Sequence, residues 1–502
     1  MSRPSRKHRR LTPRRLDKSR QEEHTSRVML HLHDTQSGAI KPVQAEDGKQ
    51  LRFYCCGPTV YAAAHIGNFR TFVVQDVFRR VVELGGLRTK HVRNLTDVDD
   101  KTIRNSQAQG MPLGEYTAKW TAKFHDDCKA LNCLSPHVEP SAVGHIKEQL
   151  DIVQKLMDGG HAYQSEDGSI YFRISSYADY GRLAHLDRQE LDLGKTAQTR
   201  ADTDEYEKDS VADFVLWKAR RPEDGPNFWQ SPWGEGRPGW HLECSAMSHK
   251  YLGDTFDLHS GGVDLVFPHH ENEIAQTSGA TGKPYVNYWM HNGFLNIDNE
   301  KMSKSKGNFF TVRDIAKEYD LEAVRMFTLS AHYRSPLNFS RDQIAQAQSS
   351  LERLYIARDQ LAFLENAAKD REPNEAEAAF MAFADQSQTR FMAAMDDDLN
   401  TADALGAIFE LVREVHKLNA TDVSRKAVVY GKEKLLGMTD VLGLLMKKED
   451  GLPADVQALV DERAQARKEK NWKRSDELRD QIKAMGYILE DTAAGQKVRK
   501  GV

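Results

Sequence analysis

Residues 51–94 read LRFYCCGPTVYAAAHIGNFRTFVVQDVFRRVVELGGLRTKHVRN. An apolar run over residues 51–56 stops at Gly57-Pro58, and Val73, Val77, Val81 and Leu84 then recur at helical spacing until Gly85-Gly86. A second strand-like run follows over residues 89–94. Strand, turn, helix, strand is the order of a parallel α/β sheet, and the stretch predicts such a layer as the catalytic part of the chain.

The turn of this unit holds His65-Ile66-Gly67-Asn68, at the carboxyl edge of the sheet where ligands bind. Small and polar residues there suit phosphate. Gly67 permits close backbone approach, the helix N-terminus offers unpaired N–H groups, and His65 can donate to a phosphate oxygen. On spacing alone, a histidine beside a helix start is more often a capping or packing residue.

Around this unit the chain has 502 residues, room for about three or four domains. With 39% hydrophobic and 29% charged residues it reads as a polar globular protein and excludes wholesale disorder. No stretch approaches the ~18 consecutive apolar residues of a spanning helix, and the N-terminus has no apolar segment of a secretory signal. No membrane partner and a cytoplasmic location are therefore expected. Five cysteines (Cys55, Cys56, Cys128, Cys133, Cys244) are too few and too irregularly spaced for a disulfide framework, so any that matter should act as thiolates.

The formal net charge of -4 is a sum of unlike parts. Residues 1–27 hold ten Lys+Arg against three Asp+Glu, and residues 461–502 hold eleven against eight. An acidic body with basic ends engages a polyanion only locally, which argues against non-specific coating of nucleic acid.

Residues 1–28 read as a basic, disordered extension in which Asp17, Glu22 and Glu23 argue against a transit peptide; Met29 is an alternative start. Residues 29–135 are expected to form the first half of the catalytic domain. Residues 136–238 change character, with a helix near 145–157, a Gly-turned strand pair over 161–174 and a Pro/Gly/Trp-rich stretch over 221–239, and read as an insertion. The catalytic layer resumes over 239–340, a helical bundle is expected over 341–450, where Gly and Pro are few, and a compact tail over 451–502. The tail shows helical patterns at 454–468 and 472–485 and a strand at 487–490. No internal repeat is evident.

Two further constellations carry chemistry. Lys301-Met302-Ser303-Lys304-Ser305-Lys306-Gly307-Asn308 concentrates three lysines in a loop, a density that suits polyphosphate and the charge that builds on a departing pyrophosphate. A solvated basic loop is the equally plain alternative. Cys56, Cys244 and the run His269-His270-Glu271-Asn272-Glu273 form the other. His269 and Glu273 stand four apart, so on a helix they share a face, and two thiolates, an imidazole and a carboxylate suit Zn²⁺. Without CxxC spacing, buried cysteines beside a charged surface helix would explain the same residues.

In this order, with an insertion between the first and third, the three elements resemble class I aminoacyl-tRNA synthetases, and more narrowly the cysteinyl-tRNA synthetase family. The resemblance runs from about Met29 to Lys500. It includes Cys56-Gly57-Pro58-Thr59-Val60-Tyr61, Leu95-Thr96-Asp97-Val98-Asp99-Asp100-Lys101, Gly239-Trp240-His241-Leu242-Glu243-Cys244-Ser245-Ala246-Met247, Phe267-Pro268-His269-His270-Glu271-Asn272-Glu273 and Met395-Asp396-Asp397-Asp398-Leu399-Asn400-Thr401. It implies a Rossmann-like parallel-sheet catalytic domain with an inserted connective domain, then a helical bundle and a small C-terminal α+β module.

The resemblance also implies one zinc ion per chain, on Cys56, Cys244, His269 and Glu273, that binds the thiol of the substrate L-cysteine. Zinc favours a soft thiolate over the hard hydroxyl of serine. Shape alone would discriminate only about 10–200-fold, so a metal–thiolate bond can replace an editing domain. Thr59, Trp240 and His259 should line the amino-acid pocket. The implied reaction is cysteine plus ATP giving cysteinyl-adenylate and pyrophosphate, then acyl transfer to the terminal ribose of cysteine tRNA. His65, Gly67 and Asn68 would hold ATP, Asp264 its ribose, and Lys301 and Lys304 its phosphates with Mg²⁺. Asn68 stands where family members often have His; an amide still both donates and accepts. In the tail, Arg467, Trp472 and Asp476 fall where the family's module reads anticodon bases, a cation, a stacking ring and a carboxylate. The alternative for them is a solvated helix face with one anchoring Trp. A monomer is expected.

Three other readings compete. A cysteine ligase with an amino-sugar acceptor would share the zinc and both signatures but lack the tail. A non-catalytic RNA-binding paralogue would need neither the lysines nor the zinc ligands. A zinc protease is weaker still, since His270-Glu271 is not followed by the second His of an HExxH helix.

Overall fold

In a computed structural model, residues 30–186, 213–297, 300–301, 310–418, 422–447, 452–492 and 495–500 are described. The basic extension expected over 1–28, Met29, and Lys304 with most of its loop lie outside them. After a hairpin of β1 (His31–Asp34) and β2 (Ala39–Pro42), the chain enters β3 (Gln50–Cys55), α1 (Ile66–Leu84) and β4 (Arg88–Arg93). These are the strand, helix and strand of the opening stretch, and β3 and β4 pair in parallel. The apolar face of α1 (Phe69, Val73, Val77, Val81) is buried with Leu51 and Phe53 of β3 in one core. Gly85 caps the helix through its N–H to the Val81 carbonyl, and Gly86 takes the left-handed φ of 85° that the turn requires.

After α2 (Asp100–Ala108) and α3 (Leu113–Ala130) comes a separate antiparallel unit: α4 (Ile146–Asp158), β5 (Ala162–Gln164), β6 (Ile170–Phe172), β7 (Phe214–Ala219) and β8 (Gly236–Pro238). Its core is built from Ile152, Leu156, Phe172, Phe214 and Trp217. The chain returns through α5 (Trp240–Leu252), β9 (Phe256–Gly262), α6 (Glu271–Thr281) and β10 (Val286–Asn292). The four-stranded parallel sheet runs β10-β9-β3-β4. A second small sheet follows, β11 (Leu295–Ile297), β12 (Glu300–Lys301) and β13 (Leu337–Phe339), with α7 (Val312–Ile315) and α8 (Leu321–Leu329) between its last two strands.

The long helical region divides into α9 (Arg341–Ala367), α10 (Glu375–Asp396), α11 (Thr401–Val415) and α12 (Arg425–Val441). Ser340, Asn374 and Asn400 cap the first three by accepting from backbone N–H groups of their first turns, which is why a stretch poor in Gly and Pro still breaks. Leu354, Leu361, Ile408, Leu411 and Leu435 of these helices share one core with α1 and α8. In the tail, α13 (Ala454–Lys468) and α14 (Trp472–Ala484) pack beside β14 (Tyr487–Thr492), which pairs with β15 (Gly495–Lys500). That last strand escaped the sequence reading because residues 495–500 carry three cations and little apolar character. Among the described residues no helix is long and apolar enough to cross a membrane.

Candidate active site

The sheet places the site. From β3 the chain crosses through α1 to β4 on one side, and after the inserted unit it lays β9 on the other side. The order therefore reverses between β3 and β9, where parallel sheets open a ligand crevice at their carboxyl ends. Cys56, directly after β3, donates its N–H to the Ser260 carbonyl of β9 (3.2 Å). The turn behind it is tight: a Cβ on Gly57 would stand 1.7 Å from the Asn94 carbonyl oxygen, so only glycine fits. Thr59 lies in the same turn, bridged to Thr96 of the quoted 95–101 segment.

Cys56, Cys244, His269 and Glu273 converge here, each buried, with one donor atom apiece and all four atoms within 4.8 Å of one another. The Cys56 and Cys244 sulfurs are 3.9 Å apart, and His269 Nε2 is 3.0 Å from Glu273 Oε1. They come from the end of β3, the middle of α5, and α6 with the wide π turn (Val266–His270) that leads into it. The helical run through 269–273 sets the two on one face, as the four-residue spacing predicts. The run is not a surface helix: His269, His270, Glu271, Asn272 and Glu273 are all buried.

Charge at the cluster favours a cation. Burial by itself pushes the Cys244 thiol up, but hydrogen bonds with Cys56 and His269 bring it down to about 6. Burial and its neighbour Cys244 push Cys56 well up. Burial opposes a charge on His269, yet the carboxylate of Glu273 and the Cys244 sulfur raise it to about 10. Glu273 is held below the usual carboxylate range despite its burial, because His259 and His269 face it. Two anions thus share a buried space with a proton-carrying imidazole, a donor set that suits a divalent metal with thiolate affinity.

Surrounding side chains orient these donors. Glu273 Oε2 is taken by His259 Nε2 (2.9 Å) and by the Tyr285 hydroxyl (2.8 Å), leaving Oε1 toward His269. His269 Nδ1 lies 2.9 Å from His241 Nδ1, and the Trp240 ring packs against the His269 ring, tilted by 33° with 4.4 Å between centroids. Two of the expected pocket residues, Trp240 and His259, therefore touch the cluster.

Sequence reasoning passed over His270, His291, His241 and Tyr285. His270 Nε2 is 3.3 Å from Cys56 Sγ, its Nδ1 meets His291 Nε2 at 2.7 Å, and His291 reaches Thr35 Oγ1. Burial holds His270 and His291 neutral, well below the ordinary histidine range. Cys56, His259, His270 and Glu273 form a second donor set with two members in common with the first. The doublet His269-His270 was the available signal.

At the adjoining edge, His65 is the N-cap of α1. Its Nδ1 accepts from the Asn68 N–H, and Asn68 Oδ1 accepts from the His65 N–H, both at 3.2 Å. The capping reading of His65 thus holds structurally, and it presents Gly67 and Asn68 in the first helical turn. Asp264 sits in a short 3-10 turn (Val263–Leu265) directly after β9, where its carboxylate would be 2.4 Å from a Cβ on Gly262. Lys301 ends β12.

Residues 42–349 match the family described as tRNA synthetases class I (C) catalytic domain, 390–446 the DALR domain, and 449–499 the cysteinyl-tRNA ligase anticodon binding domain. The cysteine–tRNA ligase of Lachnospira eligens is 47% identical over 91% of this chain and 96% of its own length. The chain belongs to the cysteine–tRNA ligase family. The enzymes of Symbiobacterium thermophilum (47% identity, 91% of this chain, 96% of that one) and Alkalilimnicola ehrlichii (45%, 94% and 100%) agree. Methionyl-tRNA synthetase of Mycobacterium tuberculosis in complex with methionyl-adenylate shares the fold at 17% identity, with a TM-score of 0.57 over 78% of this chain and 89% of that one.

Within the region matching the family's anticodon binding domain, Arg463 is buried and donates from both Nη atoms to the Asp491 carboxylate (2.8 and 2.9 Å), tying α13 to β14. Arg467, in the last turn of α13, also reaches Asp491 (3.0 Å), and its guanidinium lies 5.7 Å from the Trp472 ring centre. Trp472 opens α14 with 56% of its surface exposed, and Asp476 is exposed one turn later. An indole held at a helix start by a cation and left open to solvent is unlike an anchoring core Trp.

Proposed function

We propose that this class I cysteine–tRNA ligase activates L-cysteine with ATP and passes it to the 3′ end of cysteine tRNA, with Cys56, Cys244, His269 and Glu273 holding one zinc ion. The observation that carries the reading is the buried four-donor cluster at the carboxyl edge of the sheet, beside the helix start that bears His65 and Asn68. Zinc held there would supply a soft Lewis acid for the substrate thiol. The remaining work falls to the chain's own groups. Thr59, Trp240 and His259 would shape the pocket that holds the amino acid and keeps water out. The first turn of α1 would bind ATP, Asp264 its ribose hydroxyls, and Lys301 and Lys304 the phosphates with Mg²⁺. The cysteine carboxylate attacks the α-phosphorus and pyrophosphate leaves; positioning and charge neutralisation are what the protein contributes.

Residues 29–135 and 239–340 would form the catalytic domain, 136–238 the connective insertion, 341–450 a tRNA-binding bundle and 451–502 the anticodon module. The donor set is complete within one chain, so a cytoplasmic monomer, as expected from the sequence, would carry a whole metal site. The tail disfavours the amino-sugar ligase, whose acceptor needs no such module. The deciding experiment is cysteine-dependent ATP–pyrophosphate exchange with and without a chelator, run beside serine and followed by charging of cysteine tRNA. Exchange without charging would favour the amino-sugar acceptor, and neither activity would end the ligase reading.

Metal binding should depend steeply on pH. In the metal-free site Cys56 lies well above its usual value and His269 at about 10, so near neutrality both carry protons that a metal must displace. Affinity is expected to rise with pH by up to ~10²-fold per unit between pH 6 and 8, one factor of ten for each proton released. Competition with a chromophoric chelator at pH 6, 7 and 8 measures it; a flat profile would contradict the assigned donors.

For the tRNA, Trp472→Ala should raise KM for tRNA about tenfold, in line with ~1–3 kcal/mol per stacked base, and leave pyrophosphate exchange unchanged. Deleting residues 1–27 should raise that KM further and flatten its salt dependence, given ten cations against three anions. Unchanged tRNA kinetics in either protein would remove that segment from the tRNA interface.

A further inference from the structure

Arg70 lies on α1, two residues past Asn68, and is 1% exposed. Among the described residues no carboxylate is within ion-pairing distance of it. Its acceptors are instead five main-chain carbonyls: Nη1 donates to Gly293 (2.9 Å) and Phe294 (2.6 Å), Nη2 to His332 (3.2 Å), Tyr333 (3.1 Å) and Ser335 (2.5 Å). Burial lowers its pKa only to about 10, so it keeps its charge at neutral pH. A buried cation compensated by carbonyl dipoles alone is costly, and its planar fork fixes the carbonyls it holds in direction as well as distance.

Those carbonyls belong to two segments with one destination. Gly293 and Phe294 join β10 to β11, which leads through β12 into the lysine-rich loop; residues 332–335 lead into β13, the parallel partner of β11. The segments abut, with the Leu337 N–H on the Phe294 carbonyl (2.9 Å) and the Gly293 N–H on that of Tyr333 (2.9 Å). From the other side Asp398 grips the 332–335 strap through the Tyr333 hydroxyl (2.7 Å) and Arg334 Nε (2.6 Å). Beyond the loop, the chain returns to the same helix: the Phe310 carbonyl accepts from the Ile66 N–H (3.1 Å), and Thr311 bridges His65. Both ends of the lysine-rich segment are thus referred to the first turns of α1, the far end by the backbone and the near end by Arg70.

We propose that Arg70 is a positioning residue for cysteine activation, which sets the height and direction of the strands bearing the lysine-rich loop relative to the His65–Asn68 turn. This deepens the ligase reading and rests on it. Arg70 touches neither the donor cluster nor its pocket, and pyrophosphate departs only in the first step. Its loss should therefore fall on adenylate formation and spare both cysteine binding and acyl transfer.

The test uses full-length Arg70→Gln, Arg70→Lys and Gly293→Ala. The last leaves Arg70 in place but puts a Cβ 2.6 Å from the Arg334 carbonyl oxygen and 2.8 Å from that of Ser335, which must shift the clamped strap. In pyrophosphate exchange kcat should fall about 10²-fold for Arg70→Gln and Gly293→Ala, the scale of an ångström's misplacement, with KM for cysteine within about twofold. Arg70→Lys should recover part of the loss, since an ammonium reaches some of the carbonyls. Zinc content should stay at the wild-type level. Single-turnover transfer from preformed cysteinyl-adenylate to tRNA should stay within about twofold of wild type. Equal losses in exchange and transfer that follow a fall in Tm or active-site titre, or exchange at the wild-type rate, would overturn the proposal. Absence of exchange in the wild-type enzyme would instead strike the ligase reading itself.

Discussion

Cys244→Ala is expected to lower kcat/KM for cysteine in ATP–pyrophosphate exchange by on the order of 10³-fold and to leave the protein without bound metal. Changing residues that merely orient a metal ligand typically costs 10–100-fold, and removal of the ligand itself should cost more. The geometry makes Cys244 the most exposed to this test. Its sulfur is the low-pKa thiol of the cluster, held near 6 by Cys56 and His269, so it is the thiol already ionised at neutral pH. Without it, His269 loses a partner and the donor set loses its ionised sulfur, while Glu273 keeps His259 and Tyr285. His269→Ala should empty the site likewise, whereas His270→Ala should retain metal, because His270 belongs only to the donor set that lacks Cys244. Atomic absorption of the purified variants reads metal content. Exchange in Cys244→Ala at a tenth of the wild-type rate or better, with no metal bound, would remove the metal from thiol recognition. The wild-type enzyme should also discriminate against serine far beyond the ~10–200-fold that shape provides.

Lys304→Ala should reduce kcat for pyrophosphate exchange about 10²–10³-fold while KM for cysteine changes little. A lysine whose contact strengthens as charge gathers on the leaving pyrophosphate stabilises the transition state more than the bound substrate, so its loss appears in kcat. Single-turnover transfer from isolated adenylate should be nearly unaffected, since no phosphate charge develops there. If KM for ATP rose in proportion and kcat held, Lys304 would be a ground-state phosphate contact and no more.

The parallel layer was legible from residues 51–94 because each local signal agreed: an apolar run ended by Gly57-Pro58, a helical stripe ended by Gly85-Gly86, and a second strand run. Of the three internal breaks of the helical region, only the first carries a breaker residue, Pro373, and the other two hold neither Gly nor Pro. Polar side-chain caps at Asn374 and Asn400 start the helices after the first two; at the third, Ser424 is fully buried and makes no side-chain cap, its N–H donating to the Glu377 carboxylate (2.9 Å) and its hydroxyl to the Arg371 carbonyl (2.7 Å). The strand β15 was missed because its pairing with β14 is carried by main-chain bonds that cationic side chains do not advertise.

The metal donors show the same division. His269 and Glu273 were related by spacing, since four residues on a helix fix a shared face whatever surrounds it. Nothing local relates Cys56 to Cys244, which are 188 residues apart and come within 3.9 Å only because β9 is laid beside β3 at the reversal of the sheet. His270 illustrates the converse. Its neighbour in sequence was chosen on periodicity, yet its own imidazole reaches Cys56 and His291, contacts that depend on how α6 is rolled against the sheet.

By itself the sequence determined the α/β layer, the order of the motifs and, through the resemblance those motifs carry, the family. These depend on local periodicity and residue type, which act over one or two turns of chain. Only the tertiary structure decided that the charged run 269–273 is core rather than surface, that Glu273 is oriented by His259 and Tyr285, and that Arg70 binds two distant segments to the helix of His65. Burial and long-range hydrogen bonding are properties of the packed assembly of elements, and the same residues in an unpacked chain would all be solvated.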